Sequence, residues 1–202
     1  MAAGNPSDDE TTQRDHAWME RIGRGDAEAF RDLVTAYQDI VVGTVARMLG
    51  NAADAEDIAQ QVFLRIWRNA KRYRPDAKFT TYLFTILRNL VFNESRRRSR
   101  KREVSGDERE EALHLQHEAA ASERPDAEIE QAELQRAVDA AIEALPEAQR
   151  MAVVLRRYEE MPYEEIAKVL GLTVPAVKSM LFRARASLRQ SLAEYLDESG
   201  RK

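Results

Sequence analysis

Near the C-terminal end of the chain, a short segment combines a turn with a one-sided basic helix. Ile166, Ala167 and Leu170 fall on one face of a predicted helix, and Gly171 supplies the positive φ that ends it. Residues 175–192 then carry four basic side chains and no acidic one. In a helix-turn-helix, the second helix enters the major groove of DNA, where basic side chains reach bases and phosphates. The pattern favours DNA binding over the alternative, an ordinary helical hairpin with a solvated basic face.

The second helix of this unit has a defined start and two distinct faces. Thr173 is a suitable N-cap, and Pro175 is tolerated in the first turn, where a missing N–H costs nothing. Val177 and Leu181 are spaced to face inward. The opposite face presents Lys178, Ser179, Phe182, Arg183 and Arg185.

Carboxylates are the other groups that could do chemistry, by holding a catalytic metal ion. They are concentrated at 54–57 and across 107–133. A metal site needs convergent ligands, whereas the first group falls at a predicted helix start and the second in a predicted linker. The chain also has no cysteine and only three histidines, which leaves no thiolate and little imidazole for a zinc site. We therefore predict a protein that is not an enzyme and that has no metal or cofactor.

Charge is segregated along the chain. The formal net charge of −4 divides into −5 over 1–70, +9 over 71–102, −10 over 103–144 and +2 over 145–202. This distribution is typical of a chain with two surfaces that face a polyanion and an acidic spacer between them.

The elements that must position these residues are predicted to be helices. Nearly every periodic segment is helical and no convincing strand alternation occurs, so the expected fold class is all-α. Helices are expected at about 26–49, 54–67 and 80–102, with Gly50 ending the first and a basic loop at 71–78.

An acidic segment divides the helical pattern into two small domains. Fully extended, the 25 residues 103–127 reach roughly 80–90 Å, and two turns of B-DNA need only about 70 Å. A flexible linker here would let the two domains occupy separate DNA sites. The predicted organisation is a flexible N-terminus at 1–19, a helical domain at 20–102, the acidic linker at 103–127, a helix-turn-helix domain at 128–195 and a tail at 196–202.

Hydropathy indicates an aqueous location. No apolar run approaches the roughly 18 residues of a membrane span, and the first residues contain no apolar signal core. The expected location is the cytoplasm, which the absence of cysteine also fits.

Two blocks of sequence resemble one known family. The stretch LPEAQRMAVVLRRYEEMPYEEIAKVLGLTVPAVKSMLFRARASLRQSL resembles region 4 of extracytoplasmic-function (ECF) sigma factors, and DAEDIAQQVFLRIWRNAKRYRPDAKFTTYLFTILRNLVFNESRRRSR resembles their region 2. The stretch RIGRGDAEAFRDLVTAYQ resembles the start of the region 2 domain. The blocks appear in the family's order, with a variable acidic linker between them. The resemblance implies two all-α domains that bind RNA polymerase core enzyme, recognise the −35 and −10 promoter elements and help melt DNA.

The resemblance also implies partners and site residues. The helix at 54–67 matches the helix that docks on the coiled-coil clamp of the largest catalytic subunit, which implies core contacts by Asp57, Gln60 and Gln61. An anti-sigma factor is a further implied partner. The main alternative is a dimeric helix-turn-helix repressor or activator, which would need no polymerase. The second nucleic-acid-like domain and the lack of an obvious effector or dimerisation module argue against that alternative.

Region 2 of the family opens DNA at the −10 element. By resemblance, Tyr73, Ile86 and Asn89 line a pocket for a flipped base, with loop 69–78 as its wall. A buried structural asparagine is the alternative for Asn89, and core packing is the alternative for Phe79 and Tyr82, the latter standing where relatives usually have Trp. The residues implied at the −10 element are Tyr73, Phe79, Tyr82, Ile86, Arg88, Asn89, Arg96 and Arg97.

The remaining implied contacts are electrostatic or belong to the −35 element. Arg88 and the run 96–102 are expected on phosphates, with a solvated charge run as the alternative. Region 4 implies a phosphate contact by Arg156. It also implies −35 contacts by Lys178, Ser179, Phe182 and Arg183.

Overall fold

The computed structural model of the chain describes residues 8–51, 53–104 and 126–193 and is helical in all its regular elements over these ranges. An N-terminal unit comprises α1 (Asp8–Gly23), α2 (Ala27–Leu49), α3 (Ala53–Asn69), a 3-10 turn (Ala70–Arg72) and α4 (Phe79–Val104). A C-terminal unit comprises α5 (Asp126–Glu143), α6 (Glu147–Arg157), α7 (Tyr163–Leu170) and α8 (Val174–Ser191). The all-α prediction is confirmed. Over the described ranges, no helix is both long and apolar enough to cross a membrane.

The boundaries of α2 follow from its capping residues. The Asp26 carboxylate accepts hydrogen bonds from the backbone N–H groups of Glu28 (2.9 Å) and Ala29 (3.1 Å). The bond from Ala29, followed by one from the Arg21 side chain, lowers the pKa of Asp26. At the other end, Gly50 adopts φ 65° and donates to Ala46 O, as a left-handed C-cap does. The predicted helix at 26–49 is therefore confirmed.

Helix α2 is at the centre of the N-terminal core. Its stripe of Leu33, Val41 and Val45 is fully buried, and α3 and α4 pack against it with their own apolar faces. The buried residues that α3 and α4 contribute to this core are Ile58, Val62, Phe63, Ile66, Leu83, Leu87 and Leu90. All of them lie on helical spacing, which is the signal that predicted these helices.

The N-terminal helix α1 differs from the sequence prediction. A flexible N-terminus was predicted over 1–19, but residues 8–19 belong to α1 and pack on α2; residues 1–7 lie outside the described ranges. Asp15 is only 2% exposed. Its carboxylate accepts a hydrogen bond from the Tyr37 hydroxyl and forms an ion pair with Arg14 Nη2 at 2.9 Å. Burial and this hydrogen bond raise the pKa of Tyr37. Met19 and Ile22 of α1 are also buried in the core, so apolar packing and this polar contact together hold the helix.

The C-terminal unit has the predicted helix-turn-helix geometry. Gly171 ends α7 at φ 67°, and the Thr173 hydroxyl caps α8 by accepting from Ala176 N at 3.4 Å, with Pro175 in the first turn. Its core contains Met151, Leu155, Ile166, Val169, Val177 and Leu181. The turn chemistry that predicted the motif is therefore confirmed. The predicted linker at 103–127 lies almost entirely outside the described residues.

The two units pack against each other along a surface that we call the domain seam. Arg150 Nη1 donates to Met48 O at 2.6 Å, and Thr44 Oγ1 donates to Glu159 Oε1 at 2.9 Å. Two further contacts are Arg88 Nη1 to Val169 O at 2.6 Å and Lys78 Nζ to Glu165 Oε1 at 3.6 Å. Buried apolar residues of both units form one continuous cluster behind these polar contacts. The separate domains expected from the sequence are thus joined in this structure.

Candidate nucleic-acid and polymerase interface

The outward face of α8 is polar and aromatic. Val177, Leu181 and Ala184 are buried, so the helix can present only its other side to solvent. That side forms an open depression of about 530 Å³ lined by Lys178, Ser179, Phe182 and Arg183. Phe182 is 73% exposed, which is unusual for a large aromatic ring unless it serves a contact. The structure therefore brings four of the predicted −35 residues onto one surface.

Arg156 joins this surface from a neighbouring helix. Its Nη1 donates to Met161 O at 2.9 Å, and its guanidinium carbon lies 5.1 Å from the centre of the Tyr163 ring. Lys178 Nζ lies 5.8 Å from the centre of the same ring. The ring thus connects the last turn of α6 with the first turns of α8. Sequence reasoning did not assign a role to Tyr163.

An aromatic cluster follows the 3-10 turn in the N-terminal unit. The Tyr73 ring is 5.1 Å from Tyr82 and 6.4 Å from Phe79 between centroids, and Phe79 is 5.1 Å from Tyr37. Phe79 is only 1% exposed. This burial favours the alternative of core packing for Phe79, because its ring fills the core between α2 and α4.

Tyr73 and Tyr82 are half-buried at the edge of this cluster. Burial raises the pKa of Tyr73 to about 12 and also raises the pKa of Tyr82. The Tyr73 hydroxyl is buried and has no hydrogen-bond partner in the structure. A buried donor without a partner costs about 1–3 kcal/mol, so this hydroxyl is available to a ligand group.

A cleft of about 700 Å³ lies between α1 and the 3-10 turn, next to Tyr73. Its wall includes Lys71 and Pro75 from the predicted loop, together with His16, whose Nε2 is 3.3 Å from Ala77 O. Ile86 and Asn89, which were predicted to share a pocket with Tyr73, are not among the residues that line this cleft. The cleft beside loop 69–78 thus faces α1, and the pocket expected from Tyr73, Ile86 and Asn89 stays a prediction.

Arg88 and Asn89 lie at the domain seam. Arg88 Nη1 donates to Val169 O, while its Nε donates to Asn89 Oδ1 at 3.2 Å. Asn89 is exposed, so the alternative of a buried structural asparagine is excluded. Ile86 is half-buried one turn earlier. Both polar side chains are engaged while the two units are in contact.

The basic end of α4 divides into exposed and structural arginines. Arg96 and Arg97 are exposed, and Arg97 Nε pairs with Glu94 Oε2 at 2.7 Å. Arg98 is different: at 24% exposure, its side chain pairs with Asp54 of α3 and with Glu94 Oε1 at 3.1 Å. The hydrogen bonds from Arg97, and then from Arg98, lower the pKa of Glu94 to about 2. Arg98 therefore ties α4 to α3, while the phosphate contacts expected of the run 96–102 stay a prediction.

The solvent face of α3 carries all three predicted core-binding residues. Asp57, Gln60 and Gln61 are exposed, while Ile58, Val62 and Phe63 on the other side are buried. Leu64 lies on the polar face at 48% exposure. Sequence reasoning missed Leu64, although its spacing from Asp57, Gln60 and Gln61 is that of one helix face. This face therefore combines three hydrogen-bonding side chains with one exposed apolar side chain, that of Leu64.

Comparison with known proteins agrees with both units. Residues 33–101 match the family described as Sigma-70 region 2, and residues 135–188 match Sigma-70, region 4. The RNA polymerase sigma-H factor of Pseudomonas aeruginosa is 34% identical over 94% of this chain and 99% of its own. The ECF RNA polymerase sigma factor SigW of Bacillus subtilis is 32% identical over 87% of this chain and 95% of its own.

Solved structures show the same fold. CnrH, solved in complex with the cytosolic domain of CnrY, aligns with a TM-score of 0.63 and 25% identity over 90% of this chain and 98% of its own. The sigma factor RpoE of Bartonella quintana, solved with the anti-sigma factor NepR, aligns with a TM-score of 0.64 and 22% identity over 83% of this chain and 98% of its own. The chain belongs to the ECF sigma factors of the sigma-70 family. It is a transcription initiation factor that acts with RNA polymerase core enzyme at promoters, and it is not an enzyme.

Proposed function

We propose that this sigma factor divides its work among three surfaces of the described helices. The solvent face of α3 docks on core polymerase through Asp57, Gln60 and Gln61, with the exposed Leu64 beside them. A set of side chains from α4 and loop 69–78 acts at the −10 element, namely Tyr73, Tyr82, Ile86, Arg88, Asn89, Arg96 and Arg97. The outward face of α8 reads the −35 element.

The observation that carries this proposal is the α8 face. Lys178 and Arg183 flank a ring that is 73% exposed at Phe182, on the helix that a helix-turn-helix inserts into the major groove. Lys and Arg supply phosphate or base contacts, and an apolar ring suits the methyl group of thymine. Arg156 adds a cation beside this face for a phosphate.

At the −10 element, the proposed contacts are those that remain accessible or become so when the seam opens. Tyr73, Tyr82 and Ile86 offer half-buried apolar surface on which an unstacked base can pack. Arg88, Arg96 and Arg97 supply cations for phosphates. Asn89 supplies an amide that can both donate and accept.

The experiment that tests the proposal compares promoter binding with and without core enzyme. At one fixed salt concentration, the protein alone should bind duplex promoter DNA weakly, and sequence-specific binding should appear when core polymerase is added. The physical reason is that a chain of net charge −4 has only local basic faces with which to hold DNA. Tight, specific binding by the protein alone would contradict the proposed division of labour.

Two further assignments follow from the same proposal. The factor acts in the cytoplasm, where core polymerase meets promoter DNA, and cell fractionation followed by immunoblotting tests this. An anti-sigma protein is a further candidate partner, supported by the complex in which CnrH was solved. Such a protein should lower the amount of factor bound to core polymerase in a competition assay.

A further inference from the structure

Two cations from different helices meet at one tyrosine ring beside the α8 face. Arg156 lies in the last turn of α6, and Lys178 lies in α8. Tyr163, the first residue of α7, is half-buried between them, with its ring centre 5.1 Å from the Arg156 guanidinium carbon and 5.8 Å from Lys178 Nζ. Both cations are themselves exposed.

An aromatic ring holds a cation differently from a carboxylate. The face of the ring is negative because of its quadrupole, so it attracts the cation without neutralising its formal charge. Among the described residues, neither Arg156 nor Lys178 is paired with a carboxylate; the nearby Glu165 pairs with Lys78 instead. The two side chains therefore keep their full charge for a phosphate or a base edge.

Holding a long side chain in advance also lowers the cost of binding. Arg and Lys have many rotamers, and a partner must restrict them when it binds. Arg156 has a second anchor, since its Nη1 donates to Met161 O at 2.9 Å. Lys178 has the ring, which limits the directions that its flexible stem can take.

We propose that Tyr163 is a positioning residue for upstream promoter binding, whose ring holds Arg156 and Lys178 in the places from which they contact DNA. The proposal rests on the function proposed above for the α8 face. Tyr163 itself need not touch DNA, because it acts through the two cations.

The test changes the charge distribution of the ring and leaves its shape nearly unchanged. Full-length protein carries phenylalanine at position 163, or the same residue with one, two or three fluorine atoms, which progressively weaken the negative ring face. Each variant is assembled with core polymerase, and promoter affinity is measured at fixed salt. Tyr163→Phe should bind nearly as well as the original chain, and affinity should then fall stepwise with fluorine number. The total loss should be on the order of tenfold, since each exposed contact accounts for about two- to fivefold. Equal affinity across the series would overturn the proposal.

Two controls separate positioning from other roles of the ring. In a background that carries Arg156→Ala and Lys178→Ala, the fluorine series should have no effect, because the cations that the ring holds are gone. A persistent stepwise loss in that background would overturn the proposal. The same series at Tyr158, whose ring centre lies 4.1 Å from the Arg47 guanidinium carbon across the domain seam, should not lower promoter affinity; an equal loss there would also overturn the proposal.

Failure of the underlying function has its own signature. If Arg156→Ala and Lys178→Ala both bind promoter DNA as the original chain does, the assignment of the α8 face is wrong and the positioning role falls with it. If those variants bind promoter DNA poorly and promoter affinity does not change along the fluorine series, only the role of Tyr163 is overturned. Affinity for core polymerase should stay constant throughout. Its loss on fluorination would place Tyr163 at the polymerase interface and would overturn the proposal.

Discussion

At the scale of single residues, the local sequence decides less than the neighbours that the fold supplies. Arg97 and Arg98 are adjacent in a uniform basic run, yet one is exposed and the other links α4 to Asp54. Glu94, one turn earlier in α4, forms ion pairs with both arginines. A run of like charges thus contains a structural residue that only tertiary contacts reveal.

The network around Glu94 predicts a pH-dependent contribution to stability. The pKa of Glu94 is lowered from an ordinary value of 4.5 to about 2, so its charged form stabilises the fold above about pH 4.5. This stabilisation is lost as the pH falls towards 2. Glu94→Gln should therefore unfold at lower urea concentration at pH 7, and its difference from the original chain should shrink steadily below pH 4.5. Glu20→Gln, which breaks an exposed pair with Arg24, is the matched control and should have little effect at any pH.

Asn89 is the residue that best separates DNA melting from DNA binding. Its side chain is exposed beside Arg88, so its removal should not disturb the core. Asn89→Ala should form a closed complex normally and open duplex promoter DNA poorly. The defect should be smaller on a template already opened by mismatches, where the unpairing cost of a few kcal/mol has been removed.

Permanganate footprinting of unpaired thymines on both templates measures this difference. Asn93→Ala, an exposed asparagine one turn further along α4, should open DNA normally. Normal opening by Asn89→Ala on duplex DNA would contradict the proposed contact with an unstacked base.

At the scale of elements, helix ends and faces were predictable because their signals are local. Asp26, Gly50, Gly171 and Thr173 each act through the backbone within a few residues, and each behaves in the structure as its residue type predicts. Helix α1 was not predicted, since it is held by tertiary contacts: Asp15 bonds to Tyr37, which is distant in the sequence, and Met19 and Ile22 are buried in the core. The burial of Phe79 has the same origin: it depends on the position of Tyr37 in another helix.

Helix α3 is the element through which core docking can be tested. Asp57→Ala combined with Gln60→Ala should weaken the affinity for core polymerase, because each polar contact desolvated in the complex contributes about 1–3 kcal/mol. Both side chains are exposed in the free protein, so helical content by circular dichroism should not change. Unfolding of the double variant would instead assign these residues a structural role.

Helix α8 permits a corresponding test at the promoter. Arg183→Ala and Lys178→Ala should reduce promoter binding and leave core affinity unchanged. A residue that reads a base should relax preference at one position by about 1–3 kcal/mol, whereas a phosphate contact should weaken all sequences alike. Binding measurements on a set of single-base promoter variants distinguish the two, and unchanged binding by both variants would move the DNA face to another side of the unit.

At the scale of the whole molecule, the domain seam combines a shared apolar cluster with polar groups whose hydrogen bonds are incompletely satisfied. Burial lowers the pKa of Arg150 and raises those of Glu147 and Glu159, which shows that charged groups are desolvated there. Buried atoms without partners include Glu147 Oε1 and Arg150 Nε. Separation would expose the apolar cluster that the two units share, but water would satisfy these polar groups and offset part of that cost.

The seam and the length of the linker together predict a change of shape on promoters. We expect the packed arrangement, in which Arg88 contacts Val169, to open when each unit binds its own DNA site, since an extended linker can span the roughly 70 Å of two turns of B-DNA. Because the chain has no cysteine, Gln38→Cys with Gln190→Cys allows a fluorophore in each unit. Energy transfer should be high in the free protein and fall when core polymerase and promoter DNA are added. The pair Gln38→Cys with Ser99→Cys, both in the N-terminal unit, should show constant transfer, and constant transfer between the two units would contradict the prediction.

The most exposed large apolar side chains have a consequence for the concentration of the free protein. Among the described residues, Phe182 and Leu64 are exposed by 73% and 48% on different faces, and each belongs to a surface proposed for a partner. Apolar groups in such positions promote self-association when no partner covers them. Solubility should therefore be lowest for the unaccompanied chain and rise when polymerase or DNA is bound. The protein's own surface then sets an upper limit on how much of it can accumulate in surplus over its partners.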